Sequence, residues 1–125
     1  MADKKKVTGI GGIFVKCENP ANMREWYHKQ LGLENNEYGS TFEFKTADTP
    51  SKTITSVWST FPKTSKYFDK EYMINFRVEN MEDLVEELKR NNVQVLDNIE
   101  ASEFGKFVHI LDPEGNKLQL WEPAE

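Results

Sequence analysis

Two histidines and one cysteine are the groups of this chain best suited to chemistry at neutral pH, and their surroundings narrow the choice. His109 stands ten residues before Gln119, with Asp112-Pro113-Glu114-Gly115-Asn116 between them. That run predicts a tight turn joining two strands. A symmetrical turn there opposes Leu111 to Lys117, and therefore His109 to Gln119. An imidazole beside a primary amide can orient a ligand or carry a proton, since imidazole changes charge near neutral pH. His28 lies between Tyr27 and Lys29 and reads as a solvated side chain. Cys17 sits in an apolar run and reads as a small buried hydrophobe rather than a nucleophile. A single cysteine forms no internal disulfide, and one cysteine with two histidines is too few for a Cys/His zinc framework. Gly9-Ile10-Gly11-Gly12 opens like a dinucleotide-binding loop, but Phe14 holds the place of the third glycine and the apolar run continues. The acidic pairs Glu82-Asp83 and Glu86-Glu87 suit the solvated face of a helix near its positive end, not a general acid and base.

The elements that must position these groups follow from periodicity and caps. Residues 7–17 are rich in Ile, Val and Phe and hold three glycines within 9–12, which favours a strand over a helix. Asn19 and Pro20 open a helix whose apolar positions Met23, Trp26, Tyr27 and Leu31 share one face, and Gly32 ends it. Residues 33–38 read as a short extended piece or turn, 40–45 and 53–60 as strands, and 47–52, with Asp48 and Pro50, as a loop. Residues 61–71 form a connector. The pattern then restarts with a strand at 72–79, an Asn80-capped helix with Met81, Leu84, Val85 and Leu88 inward, and an end at Asn91-Asn92. Strands at 93–96, 106–111 and 117–122 complete it. Both halves therefore read β-α-β-β-β. Ile13, Val15, Cys17, Asn19 and Met23 moved on by 61 positions fall on Ile74, Phe76, Val78, Asn80 and Leu84, each keeping its apolar or capping role. Toward the module ends the shift of 63 matches Val57-Trp58 to Leu120-Trp121.

This doubled unit, the helix-end string from Trp26 to Leu33 and the closing string from Asp112 to Pro123 resemble the vicinal oxygen chelate superfamily. That group includes glyoxalase I, bleomycin resistance proteins, extradiol dioxygenases and methylmalonyl-CoA epimerase. The resemblance implies an α+β fold in which two βαβββ modules form curved mixed sheets around a cavity. It spans 7–123, with module one at 7–60, the connector at 61–71, module two at 72–123 and a flexible tail at 1–6. It also implies dimers, and in the enzymes a divalent metal held by four side chains. The corresponding positions here are Gly12, Met73, Gln119 and, within one residue, Ser56. Gly and Met offer little to a hard cation, and a catalytic site with three protein ligands is near the minimum. No metal ligand is therefore assigned and no cofactor is expected.

Strand alternation places the remaining side chains, because residues two apart share a face. Ile13, Val15 and Cys17 belong under the first helix and Ile74, Phe76 and Val78 under the second. Gly12, Phe14 and Lys16, then Met73, Asn75 and Arg77, face the cavity. Phe107, His109, Gln119 and Trp121 join that face from the last hairpin, while Val108, Ile110, Leu118 and Leu120 take the other. The expected ligand-binding wall is thus Phe14, Ser56, Trp58, Met73, Asn75, Arg77, Phe107, His109, Gln119 and Trp121, with His109 as the catalytic candidate. An apolar wall with a few converging polar groups suits an organic ligand.

Composition bounds the function. With 125 residues, 38% of them apolar, the chain supports one globular domain. A net charge of −5 lacks the basic footprint of a nucleic-acid binder, and no segment suits a membrane span. Lys4-Lys5-Lys6 before an apolar stretch imitates a secretory signal, but the stretch carries glycines and no small-x-small cleavage site, so a cytoplasmic setting is expected. The leading expectation is a small-molecule-binding protein or divergent enzyme without the metal quartet, working as a homodimer. The alternatives are a metal-dependent glyoxalase-type lyase, isomerase or dioxygenase whose divalent metal is held by an unorthodox set including His109 and Gln119, and a dimeric interaction module built on Trp58 and Trp121.

Overall fold

The computed structural model describes residues 7–47 and 50–124. The tail assigned to 1–6, and Asp48 in the loop at 47–52, lie outside the described residues. The chain is an α+β protein with strands β1 (Val7–Cys17), β2 (Gly39–Lys45), β3 (Thr53–Pro62), β4 (Tyr72–Val78), β5 (Glu100–Ser102), β6 (Gly105–Leu111) and β7 (Lys117–Pro123). Its helices are α1 (Pro20–Leu31) and α2 (Met81–Arg90). No described helix is long and apolar enough to cross a membrane. Contacts divide the chain into two compact units, Gly12–Tyr72 and a second made of Met73–Glu125 with the start of β1.

In the first unit β1 runs parallel to β3, from Gly12 beside Val57 to Cys17 beside Pro62, and β3 pairs antiparallel with β2. Asn19 Oδ1 accepts the Asn22 N–H at 3.0 Å to cap α1, and Gly32, at φ 74°, turns the chain out of the helix, as expected. The apolar stripe of α1 is narrower than its sequence predicts. Tyr27 packs on Trp58 with ring centroids 4.4 Å apart and Met23 is half-buried, but Trp26 and Leu31 are 52% and 59% exposed. Trp26 is one helical step off the Met23–Tyr27 line, and Leu31 ends the helix. Ile13, expected under this helix, is also exposed, whereas Val15 and Cys17 are buried.

Residues 33–38 contribute only an isolated Asn35–Ser40 bridge, so this module has three strands. Asn36 Oδ1 accepts the N–H groups of Tyr38 and Gly39 at 2.8 and 3.2 Å, and this local turn folds the segment back before it can extend. The connector does more than join. Phe61 and Pro62 still belong to β3, and Phe61 packs against Phe14 and Phe68 at 5.5 and 5.3 Å and stacks on Tyr67 at 5.8 Å. Phe68 is almost fully buried.

In the second unit the strand order is β4-β7-β6-β5, with β4 and β7 parallel and the other pairs antiparallel. Asp112 Oδ1 accepts the N–H groups of Glu114 and Asn116, each at 2.9 Å, and closes the turn that sets the β6/β7 register. As predicted, Leu111 opposes Lys117. The strand expected at 93–96 is only a bridge between Val95 and Ile110, and the actual strand lies later, at Glu100–Ser102. Between those two pairings the chain spends two more residues than β6 does, so 96–99 bulges away from the ladder.

The main core of this unit lies where α2 covers β6 and β7, joining Val78, Met81, Leu84, Val85, Val108, Ile110 and Leu120. Asn80 precedes α2 as expected but sits in the left-handed region, at φ 53°, and makes no capping bond. The Glu122 carboxylate on β7 accepts the Met81 N–H at 3.0 Å instead, placing negative charge at the positive helix end.

The two helices give a direct stability test with one chemical change. Leu84 is 6% exposed and Leu31 59%. Leu84→Ala is expected to cost about 2–4 kcal/mol and Leu31→Ala less than about 1 kcal/mol by urea unfolding.

Candidate functional site

Two registers in the second unit bring three polar residues into one row. β4 places Asn75 beside Gln119, and β6 places His109 on the other side of Gln119. The bulge at 96–99 adds a fourth member, because it swings Asp97 against His109. Asn75, Gln119 and His109 are 2%, 5% and 7% exposed, while the Asp97 side chain reaches solvent. Burial of so many polar groups demands that they satisfy one another.

They do so in sequence. Asp97 Oδ2 lies 2.7 Å from His109 Nδ1, and Asp97 Oδ1 accepts the His109 backbone N–H at 2.8 Å. A carboxylate only accepts, so the imidazole proton belongs on Nδ1 and the Nε2 lone pair faces Gln119. Gln119 Nε2–H donates to that lone pair at 3.1 Å, and Gln119 Oε1 accepts from Asn75 Nδ2–H. Asn75 Oδ1 ends the row, buried and without a hydrogen-bond partner. It lies against Gly11, where a Cβ would come within 2.1 Å of it and within 2.9 Å of the Trp121 ring.

A second row lies two residues further along the same strands. Arg77 sits over the Trp121 ring at 5.2 Å, and Trp121 stacks on Phe107 with nearly parallel planes and ring centroids 6.0 Å apart. Trp121 Nε1–H donates to the Phe104 carbonyl at 2.9 Å, which fixes the ring. All three side chains are partly exposed, so this stack is the accessible part of the face. Met73, two residues before Asn75 on β4, is buried.

Seven of the ten expected wall residues therefore share one face of the second unit: Met73, Asn75, Arg77, Phe107, His109, Gln119 and Trp121. Phe14 belongs to the first unit and is buried against Phe61. Ser56 and Trp58 are corrections. Trp58 opposes Ile13 and packs on Tyr27, so both it and Ser56 point to the α1 side of β3. Phe14 pairs with Ser59 as Asn75 pairs with Gln119, which makes Ser59 and Phe61 the true counterparts of Gln119 and Trp121. Matching tryptophan to tryptophan gave the wrong shift, because strand register is kept by position and not by residue type. Asp97 was missed altogether. Its signal lies in the bulge, which no local propensity announces.

Elsewhere, a groove of about 420 Å³ beside α1 is lined by Ala21, Arg24, Glu25, His28, Glu34 and Asn35. His28 is exposed there as expected, with Nδ1 2.9 Å from the Leu33 carbonyl. Burial pushes the Cys17 thiol up, against the opposing pull of Arg24, consistent with a structural cysteine. On the surface, Lys106 donates to Glu82 at 2.7 Å, which lowers the carboxyl and raises the amine. Among the described residues no three His, Cys, Asp or Glu side chains gather as a metal-binding group.

Two substitutions test the row. Asp97→Ala removes the acceptor that holds the proton on Nδ1, and ¹⁵N NMR of the His109 ring is expected to show loss of the single Nδ1–H tautomer. Gly11→Ala forces Asn75 or Trp121 aside and is expected to cost about 1–3 kcal/mol of stability in chemical denaturation.

Comparison with curated protein sequences gives no match. A Streptomyces coelicolor methylmalonyl-CoA epimerase in complex with 2-nitronate-propionyl-CoA is similar in fold, at TM-score 0.68 and 18% identity over 95% of this chain and 99% of that one. The Mycobacterium tuberculosis methylmalonyl-CoA epimerase gives 0.63 and 19% over 100% and 94%. A glyoxalase/bleomycin resistance protein/dioxygenase superfamily member from Vibrio splendidus gives 0.58 and 10% over 88% and 95%. The family model for that superfamily matches residues 9–120, nearly the whole described chain. The chain belongs to the glyoxalase/bleomycin resistance protein/dioxygenase superfamily.

Proposed function

We propose that this protein binds a small organic molecule on the face of the second module that carries Arg77, Phe107 and Trp121, without using the metal quartet of its superfamily. The observation that carries this reading is the pairing of an accessible cation–aromatic stack with a buried polar row on the same strands. Trp121 and Phe107 offer apolar area, Arg77 offers a charge for an acidic group, and the row beneath holds His109 in one tautomer.

The donor set argues against the metal. Of the corresponding positions, Gly12 has no side chain, Met73 is a buried thioether and Ser59 replaces Ser56. Gln119 uses both ends of its amide within the row. Taken one by one, these positions offer a hard divalent cation only the Ser59 hydroxyl and an amide already bonded at both ends. In the catalytic form of this reading His109 carries the proton, with Asp97 stabilising its charged form and Gln119 turning aside to free Nε2. We place the protein in the cytoplasm as a homodimer.

The unorthodox-metal alternative has one observation in its favour, the Asp97–His109 bond, which resembles the carboxylate that orients a metal-bound imidazole. One pair of measurements separates the two. Elemental analysis of protein purified without chelator is expected to find no stoichiometric Zn, Ni, Fe or Mn. A screen of aromatic and acidic small molecules by tryptophan fluorescence is expected to give a response that Trp121→Phe abolishes. A metal that survives dialysis would overturn the metal-free reading, and a response unchanged in Trp121→Phe would overturn the location.

A further inference from the structure

β2 is the outermost strand of its unit and among the described residues no strand pairs with its free side. Such an edge is a template for another strand, and short length, proline or inward charge normally blunts it. β2 is blunted only at its start, where Asn36 holds Gly39 and Asn35 bridges Ser40 on the side away from β3, and by the single lysine at its end. It is seven residues long, Gly39 to Lys45, without proline, and it exposes Phe42 and Phe44 at 40% and 45%. Both phenylalanines lie on the α1 side of the sheet, since they alternate in step with Ser40, which opposes Trp58.

The hydrogen-bond phase of the free edge can be read. The Thr60 N–H donates to the Tyr38 carbonyl at 3.0 Å, so the Tyr38 carbonyl and, in step with it, the backbone groups of Ser40, Phe42 and Phe44 turn toward β3. Thr41, Glu43 and Lys45 turn theirs outward. Gly39 confirms the phase, because its N–H and carbonyl are both taken by Asn36 on the outer side.

We propose that the free edge of β2 pairs antiparallel with β2 of a second copy of this chain, about a two-fold axis at Phe44. This names the surface of the homodimer proposed above and rests on that reading. The backbone phase requires odd-numbered residues to oppose odd-numbered residues, which leaves few registers. An axis at Glu43 opposes Glu43 to itself, and an axis at Lys45 opposes Lys45 to itself; both place like charges directly across the ladder. An axis at Phe42 sets Lys45 against Gly39, whose backbone is already occupied. The axis at Phe44 alone opposes Glu43 of each copy to Lys45 of the other, twice by symmetry. It also sets Phe44 against Phe44 in a non-hydrogen-bonded pair, where side chains approach most closely. The contact is isologous and therefore closes at two copies.

The test uses exposed positions, so folding is not at stake. The wild-type chain is expected to be a dimer by sedimentation and native mass spectrometry. Glu43→Lys and Lys45→Glu are each expected to raise the dimer dissociation constant about tenfold or more, and the double charge swap to return it to within about threefold of wild type. Under mild oxidation Phe44→Cys is expected to give a disulfide-linked dimer, because a thiol on the axis meets its twin. Thr41→Cys, which lies off the axis, is expected to give none; Cys17 is buried and does not compete. A chain that stays monomeric throughout the micromolar range overturns both this interface and the homodimer. A dimer whose affinity is untouched by either charge reversal keeps two copies but overturns β2 as their contact.

Discussion

The row Asn75, Gln119, His109 and Asp97 has a direction, and both of its ends set it. At the outer end Asp97 can only accept, so His109 must give its Nδ1 proton and receive at Nε2. At the inner end one atom of the Asn75 amide must face the Gly11 Cα, where no donor or acceptor waits. An oxygen there makes a weak C–H contact, whereas an NH₂ would bury two donors against carbon. Both ends therefore favour the same arrangement of amides, with every donor aimed toward Asp97. A half-satisfied polar network is costly in a protein interior, and the row avoids most of that cost by having one consistent polarity. Gly11, far from His109 in sequence, leaves the space in which Asn75 Oδ1 sits and so bears on the far end of the same row.

The same strand registers do different work in the two modules. Phe14 stands to Ser59 as Asn75 stands to Gln119, and Lys16 stands to Phe61 as Arg77 stands to Trp121. In the second module these places hold an amide pair and a cation over an indole. In the first they hold a phenylalanine, a serine and the aromatic cluster that the connector closes with Phe68. Lys16 keeps its cation over an aromatic ring, 5.1 Å from the centre of Phe68, but with a buried ring as its partner. One face is thereby filled by apolar packing and the other carries a buried polar row. A duplicated unit can diverge in this way because the ladder fixes where side chains point and leaves their chemistry free.

That distinction also explains what was legible in the sequence. The last hairpin was readable to the residue, because Asp112 and Gly115 specify the turn and the turn specifies the His109–Gln119 pairing. The inner face of α2 was readable for the same kind of reason, since Met81, Leu84 and Val85 repeat at helical spacing and all become buried. Where two elements meet without a tight turn between them, the residues did not announce the register. The β1/β3 ladder is parallel and joined through a helix and a hairpin, so nothing local sets its phase, and Trp58 was placed on the wrong side. The bulge at 96–99 is similar: Val93 and Val95 have strand propensity, but the two extra residues that carry Asp97 to His109 are a tertiary decision. The stripe on α1 misled because Trp26 counts as apolar in any periodicity while standing at its margin.

The outer strands of the two units manage their edges by different means. β5 is three residues long, Glu100 to Ser102, and a strand that short offers little to a stranger. β2 is more than twice as long, yet its first free positions are covered by its own chain, because Asn36 folds back onto Gly39. The uncovered stretch is therefore only Thr41 to Lys45, and within it phenylalanines alternate with one acidic and one basic residue. Lone charges of a single sign would repel every copy of the edge. A glutamate and a lysine two residues apart repel the two-fold registers centred on either charge, and the occupied Gly39 blocks the one centred on Phe42, so the register that crosses the charges is left.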